Sequence, residues 1–180
     1  MHLSEISFCM LYKAIVRSQL EYAVSVWCPY RKEDILRLEK VQMRATKLVS
    51  SVKNLSYMER LKKLKLPTLK FRRIRGDMIE VYKIINLKYD ACTTVSLAFN
   101  NDSKTRGNKN KLIQNHCKYN LRKHFFTNRI VAIWNSLPSY VVDAKNINIF
   151  KNRLDSHWCT QDVMYDFESD LTGIGNRSFE

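Results

Sequence analysis

A mostly α-helical fold is what the sequence predicts: a helical bundle over about residues 1–90, and a small carboxy-terminal helical unit with a possible short hairpin over 108–160. Three observations carry that expectation. Apolar residues recur at spacings of three and four in several stretches, the period of a helix with one face buried. A capping-box pattern and a proline stand where two of those stretches begin. The 180 residues, 45% apolar and 27% charged, suffice for one domain of ordinary size or two small ones.

From Ser4 to about Val26 the chain is apolar nearly all round, and Lys13, Arg17 and Glu21 form a single charged stripe at i, i+4 and i+8. Such a helix needs partners on several sides. The next, from about Glu33 to Ser50, directs Ile35, Leu38, Ala45, Leu48 and Val49 toward a core and places Arg37, Lys40, Arg44 and Lys47 on another face. Ser56-Tyr57-Met58-Glu59 is a capping box that starts a short helix ending near Leu66. Pro67 then suits the first turn of a long helix to about Asn86, whose Phe71, Ile74, Met78, Val81 and Ile85 share one apolar face.

Residues 91–107 read as a polar linker of Thr, Ser, Asn, Asp and Lys. Beyond it, Lys111 to Phe126 lacks a clean period and fits one short hairpin or an extended segment. Asn128 is placed to cap a helix carrying Ile130, Val131, Ile133 and Trp134 inward as far as Leu137-Pro138. A final helix from about Asn146 sets Ile147, Phe150, Leu154 and Trp158 on one side. Residues 161–180 hold one basic and five acidic side chains and two of the four glycines, and read as a disordered acidic tail.

Thirty-one Lys and Arg against 17 Asp and Glu give a net charge of +14, which favours a polyanionic partner, nucleic acid before an acidic membrane surface. Two rows of cations are the candidates for phosphate contact. Arg37, Lys40, Arg44 and Lys47 form the first, for which the alternative is a solvated face partly paired with Glu33 and Glu39. Lys70, Arg72, Arg73 and Arg75 form the second. They crowd the first turns of the long helix while Asp77 and Glu80 come later, the reverse of what the helix dipole prefers, so an external anion is one reading and simple hydration with an Arg73–Asp77 contact the other.

Other chemistry finds little support. Nucleotidyl transfer needs clustered carboxylates around two divalent ions, yet residues 91–160 contain only Asp102, Asp143 and Asp155 and no Asp-Asp pair occurs. Gly76, Gly107, Gly173 and Gly175 are too isolated for a phosphate-cradling loop. His116, Cys117, His124, His157 and Cys159 match no common zinc spacing, so no metal or other cofactor is expected. Five scattered cysteines without a Cys-x-x-Cys pattern suggest reduced, mostly buried thiols. No apolar run reaches the roughly 18 residues of a membrane span and no signal-type segment opens the chain, so the expected location is intracellular, nuclear or cytoplasmic, with no membrane partner. Tyr57, Phe71, Tyr82, Tyr119, Phe125, Phe126 and Trp134 interleave with the basic residues, and most belong to the core by default rather than to base stacking.

An ordered set of segments resembles a known family. Leu11-Tyr12-Lys13, Leu20-Glu21-Tyr22-Ala23, Val26-Trp27-Cys28-Pro29, Leu38-Glu39-Lys40-Val41-Gln42, Leu66-Pro67-Thr68-Leu69, Arg72-Arg73-Ile74-Arg75-Gly76-Asp77, Phe125-Phe126-Thr127-Asn128-Arg129 and Trp134-Asn135-Ser136-Leu137-Pro138 resemble the region after the polymerase motifs in non-LTR retrotransposon reverse transcriptases, jockey-like elements in particular. The resemblance covers about 5–158. It implies a thumb and post-thumb segment that grips template RNA and the growing hybrid, and a truncated chain without the palm's Tyr/Phe-x-Asp-Asp motif or an endonuclease. Asn108 stands where the family has His after Arg-Gly. An opening helix that would pack on the absent palm should leave an apolar patch exposed.

Taken together, these readings give a non-catalytic reverse-transcriptase remnant that binds RNA, single-stranded DNA or RNA–DNA hybrid through phosphates without sequence preference. The alternative is a helical protein-interaction or self-associating module using the apolar first helix, or a non-functional genomic relic.

Overall fold

The computed structural model describes residues 4–90, 95–100 and 108–174. It is mostly helical, and its contacts divide it into two compact units: Met1–Ile74 with Asp162–Asp170, and Arg75–Gln161 with Leu171–Glu180. Both the helical amino-terminal part and the helical carboxy-terminal part are present, but the division falls inside the long helix rather than after residue 90. Residues 91–94 and 101–107 of the expected linker, and 175–180 of the expected tail, lie outside the described residues.

In the first unit, α1 (Glu5–Leu11) is capped by the Ser4 hydroxyl, which accepts from the Ser7 N–H at 3.1 Å. A π-helical stretch (Tyr12–Arg17) and α2 (Ser18–Leu20) continue it. The expected single helix to Val26 is broken at Ala23, whose φ of 49° is left-handed, before α3 (Val24–Trp27). The break frees the Tyr22 carbonyl, and the Trp27 indole N–H donates to it. Phe8 and Tyr12 stack at 5.7 Å and pack with Val49, Val52, Leu61, Leu64 and Leu66. Ile6, Met10, Leu11, Ile15, Tyr22 and Val26 stand exposed on the other sides of this segment.

The second long helix is α4 (Lys32–Thr46), and a short 3₁₀ turn (Ser50–Val52) follows it. Leu48 does not reach the core: the helix ends at Thr46, the apolar period lapses, and Leu48 is exposed while Val49 turns inward. Both halves of the capping box at α5 (Tyr57–Leu64) form, with Ser56 Oγ accepting from Glu59 N–H and Glu59 Oε2 accepting from Ser56 N–H. Lys65, at φ 51°, closes the helix.

The long helix, α6 (Leu69–Ile85), buries Phe71, Met78 and Val81 along the expected face. Its start is tied down from the far end of the sequence. The Thr68 hydroxyl accepts from Phe71 N–H and donates to the Val163 carbonyl at 2.6 Å, and the Thr68 N–H donates to the Met164 carbonyl. The acidic end is therefore ordered over its described residues, contrary to the expected disordered tail. A 3₁₀ turn (Asp162–Met164) buries Val163 completely, and Leu171 is buried as well, because two apolar side chains in a polar stretch suffice to anchor it.

The second unit comprises the rest of α6, α7 (Asn120–Lys123), α8 (Phe126–Ser136), α9 (Ser139–Val142) and α10 (Ile147–His157). Its core holds Tyr82, Ile130, Trp134, Phe150 and Leu154; Tyr82 stacks on Phe150 at 4.4 Å and donates to the Ala144 carbonyl. Asn146 caps α10 as expected. Asn128 does not cap α8: Phe125 holds that position, and Asn128 lies one turn inside, buried. In place of a hairpin, the described residues show a single antiparallel bridge, Phe99 to Leu112. Residues 108–112 lie against α8 instead, where Asn108 Nδ2 donates to the Trp134 and Leu137 carbonyls and Asn135 pairs with both backbone groups of Leu112.

Candidate nucleic-acid interface

The two rows of cations meet different fates. On α4, Lys40, Arg44 and Lys47 are exposed at i, i+4 and i+7 and, with Met43, line a shallow depression of about 260 Å³. They run along roughly 10 Å of helix, about the axial rise of three nucleotides on one strand. No carboxylate among the described residues pairs with any of the three. Arg37, one turn earlier, is exposed and lies 3.5 Å from Asp34, a surface pair that a phosphate can displace at little cost.

On α6 each cation has an internal anion. Lys70 Nζ donates to Asp170 Oδ1 and to the Ser169 carbonyl. Arg72 holds both oxygens of Glu21 at 2.7 Å. Arg75 holds both oxygens of Asp155 at 2.5 and 2.7 Å. Arg73 is buried next to Glu39. The anions that the crowding of these four cations suggested are supplied from within the chain. Asp77 is held by Arg129, with both contacts at 2.9 Å.

Glu39 is the centre of this arrangement. It is fully buried on the inward face of α4, where Glu39, Gln42 and Thr46 occupy positions a core helix usually gives to apolar residues. Its Oε1 accepts from the Lys70 N–H at 2.8 Å at the start of α6, and its Oε2 accepts from the Tyr57 hydroxyl at 2.7 Å. A carboxylate there satisfies a free amide and offsets the positive end of the helix dipole. Burial pushes its carboxyl above the ordinary range, against the pull of the Tyr57 hydroxyl, the Lys70 N–H and Arg73. Gln42 extends the network, accepting from the Tyr12 hydroxyl at 2.6 Å and donating to the Pro67 carbonyl. Burial also raises the Tyr12 and Tyr57 hydroxyls, so both stay protonated donors.

Sequence reasoning offered Glu39 as a surface partner of the α4 cations and missed its inward place, although a signal existed. Ile35, Glu39, Gln42 and Thr46 follow one another at 4, 3 and 4, so polar residues continue an apolar stripe. Among the aromatic candidates, Phe71, Tyr82, Phe126 and Trp134 are buried and cannot stack on a base; Tyr119 and Phe125 are exposed. Also missed was a polar cavity of about 420 Å³ in the second unit, lined by Gln114, Asn115, His116, Cys117, Lys123 and Asn128. No cluster of three or more His, Cys, Asp or Glu occurs among the described residues, and no helix there is long and apolar enough to cross a membrane.

The chain matches no family model, and neither a curated protein nor a solved structure matches it.

Proposed function

We propose that this chain is a thumb and post-thumb segment of a non-LTR reverse transcriptase, without catalytic activity of its own, that grips RNA, single-stranded DNA or RNA–DNA hybrid through the phosphates. The sequence resemblance supplies the family. The α4 face supplies the surface, and the single observation that carries the reading is that Lys40, Arg44 and Lys47 stand exposed along one side of it with no carboxylate partner among the described residues. Three cations without internal neutralisation, on a chain of net charge +14, attract a polyanion and read no base. The α6 row is left out of this grip because each of its cations already lies beside an internal carboxylate.

The test is fluorescence-polarisation binding of the full chain to a labelled RNA–DNA hybrid over a salt series. Each neutralised phosphate contributes roughly 0.7–0.9 to the slope of log affinity against log salt. Arg44→Glu with Lys47→Glu should flatten that slope by about 1.5 and weaken binding at least about tenfold at low salt. An unchanged slope removes α4 from the interface.

A second reading is favoured by one observation. Ile6, at 75% exposure, and Val26, at 74%, lie with Met10 and Ile15 on a segment whose inward side is already filled by Phe8 and Tyr12. A protein partner, or a second copy, would cover it. Sedimentation separates the readings: a salt-insensitive dimer without affinity for nucleic acid favours the second.

A further inference from the structure

We propose that Lys70 is a latent phosphate contact of the first unit, kept closed by the Asp170 carboxylate until nucleic acid displaces it. The inference rests on the nucleic-acid reading for the class of ligand, and it adds a cation that the fold withholds. Lys70 stands in the first turn of α6, and its N–H donates to Glu39, the residue before Lys40 on α4. The start of α6 therefore lies beside the helix that carries the exposed row. The Lys70 ammonium donates to the Ser169 carbonyl at 2.7 Å and to Asp170 Oδ1 at 2.5 Å.

The two partners of this pair are unequally held. The Lys70 side chain is 16% exposed, whereas that of Asp170 is 88% exposed. Glu21 and Asp155, which hold Arg72 and Arg75 through two contacts each, are at most half-exposed. One contact from a solvated carboxylate is weak and weakens further with salt. An ammonium has three donors: the Ser169 carbonyl takes one and aims the group, while the side that Asp170 occupies opens to solvent. A phosphate oxygen arriving from that side replaces a carboxylate oxygen like for like.

The segment that carries Asp170 is built to stay in place when that carboxylate turns away. Val163 is fully buried and its carbonyl accepts from the Thr68 hydroxyl, and Phe167 packs edge-on against Tyr57 at 6.3 Å. Asp166, which Lys70 also attracts, accepts from the Glu168 N–H at 3.0 Å and the Ser169 hydroxyl at 2.7 Å. Phosphate entry therefore needs one exposed side chain to rotate rather than a loop to open. The charge balance gives this contact its sign. Residues 1–74 hold 16 Lys and Arg against six Asp and Glu, and 162–170 add four acids and no Lys or Arg. The acidic segment thus offsets four of ten net charges in its own unit and competes with a polyanion for them.

The decisive experiment measures binding of the full chain to a labelled RNA–DNA hybrid over a salt series, with each variant first checked for fold by circular dichroism. Asp170→Asn should bind severalfold more tightly at low salt, with a log–log slope steeper by about 0.7–0.9, the contribution of one phosphate. Glu168→Gln removes the same charge two residues away and should leave the slope unchanged. Adding Lys70→Gln to Asp170→Asn should restore the wild-type slope. Equal gains from Asp170→Asn and Glu168→Gln, or a gain that survives without Lys70, would overturn the proposal in favour of net charge alone. If Asp170→Asn changes nothing while reversal of Arg44 and Lys47 flattens the slope, the α4 grip stands and the Lys70 contact falls. A Lys70-dependent gain with no effect of the α4 reversal would do the opposite. Absence of binding by every form overturns both.

Discussion

The cation rows of α4 and α6 have nearly the same sequence signature, four basic residues on one helix within about ten positions, and they end in opposite situations. Lys40, Arg44 and Lys47 face solvent with no carboxylate partner among the described residues. Lys70, Arg72, Arg73 and Arg75 meet Asp170, Glu21, Glu39 and Asp155. The partners stand 100, 51 and 80 residues away for Lys70, Arg72 and Arg75, beyond the reach of any local pattern. A run of like charge on a helix therefore says that an anion is needed, and only the fold says whether it is internal. For α6 the anions come from folding; for Lys40, Arg44 and Lys47 none comes from the described residues.

The largest effect that can break this comparison is at Glu39. Glu39→Ala removes the acceptor for the Lys70 N–H and the Tyr57 hydroxyl and strips a buried Arg73 of its adjacent anion. Losing one member of a buried charged set costs about 3–5 kcal/mol, so the urea midpoint should drop sharply or the chain should fail to fold. A change within experimental scatter would mean that Glu39 does not anchor the start of α6. Next in size is the α4 double reversal, Arg44→Glu with Lys47→Glu, which should leave the urea midpoint in place while binding falls at least about tenfold. Reversing that pattern, with stability lost and binding kept, would collapse the distinction between the rows.

Arg75→Ala should show the smaller, complementary behaviour. Its carboxylate partner Asp155 is half-exposed, so the two-contact pair is worth only about 1 kcal/mol after screening by solvent. Binding to hybrid should stay within about twofold of wild type, because Arg75 is already neutralised. A tenfold loss of affinity would return the α6 row to the interface.

The helical architecture was legible because it depends on local period and caps: the Ser56 box, the α6 apolar face and the Asn146 cap all form where the spacing placed them. What was not legible depends on contacts far apart in the chain. Val163 looks like one apolar residue in an acidic tail until its carbonyl is seen to accept from the Thr68 hydroxyl, 95 residues away. Ala23 carries no sequence mark of the left-handed backbone that ends the first helical run, since alanine ordinarily favours a helix. Of the candidate site, the α4 row was readable and its freedom from carboxylates was not. The cavity at Asn128 escaped notice because Asn128 reads equally well as a cap, and only its one-turn shift inside α8 turns its amide toward Cys117 and the Arg122 carbonyl.

The smallest predicted effect separates the α4 face from the second unit by pH. Burial, then Lys123 and Arg129, hold the His124 imidazole below its ordinary value. Because the folded value is depressed, the unfolded chain takes up the proton first. His124 therefore contributes stability above about pH 6.5 that is lost as pH falls through its folded value. The urea midpoint should therefore fall slightly between about pH 7.5 and pH 5.5, and His124→Gln should reduce that fall. Binding to hybrid through α4, a helix without a histidine, should not depend on this substitution. An identical fall in the wild type and in His124→Gln would remove His124 as its source.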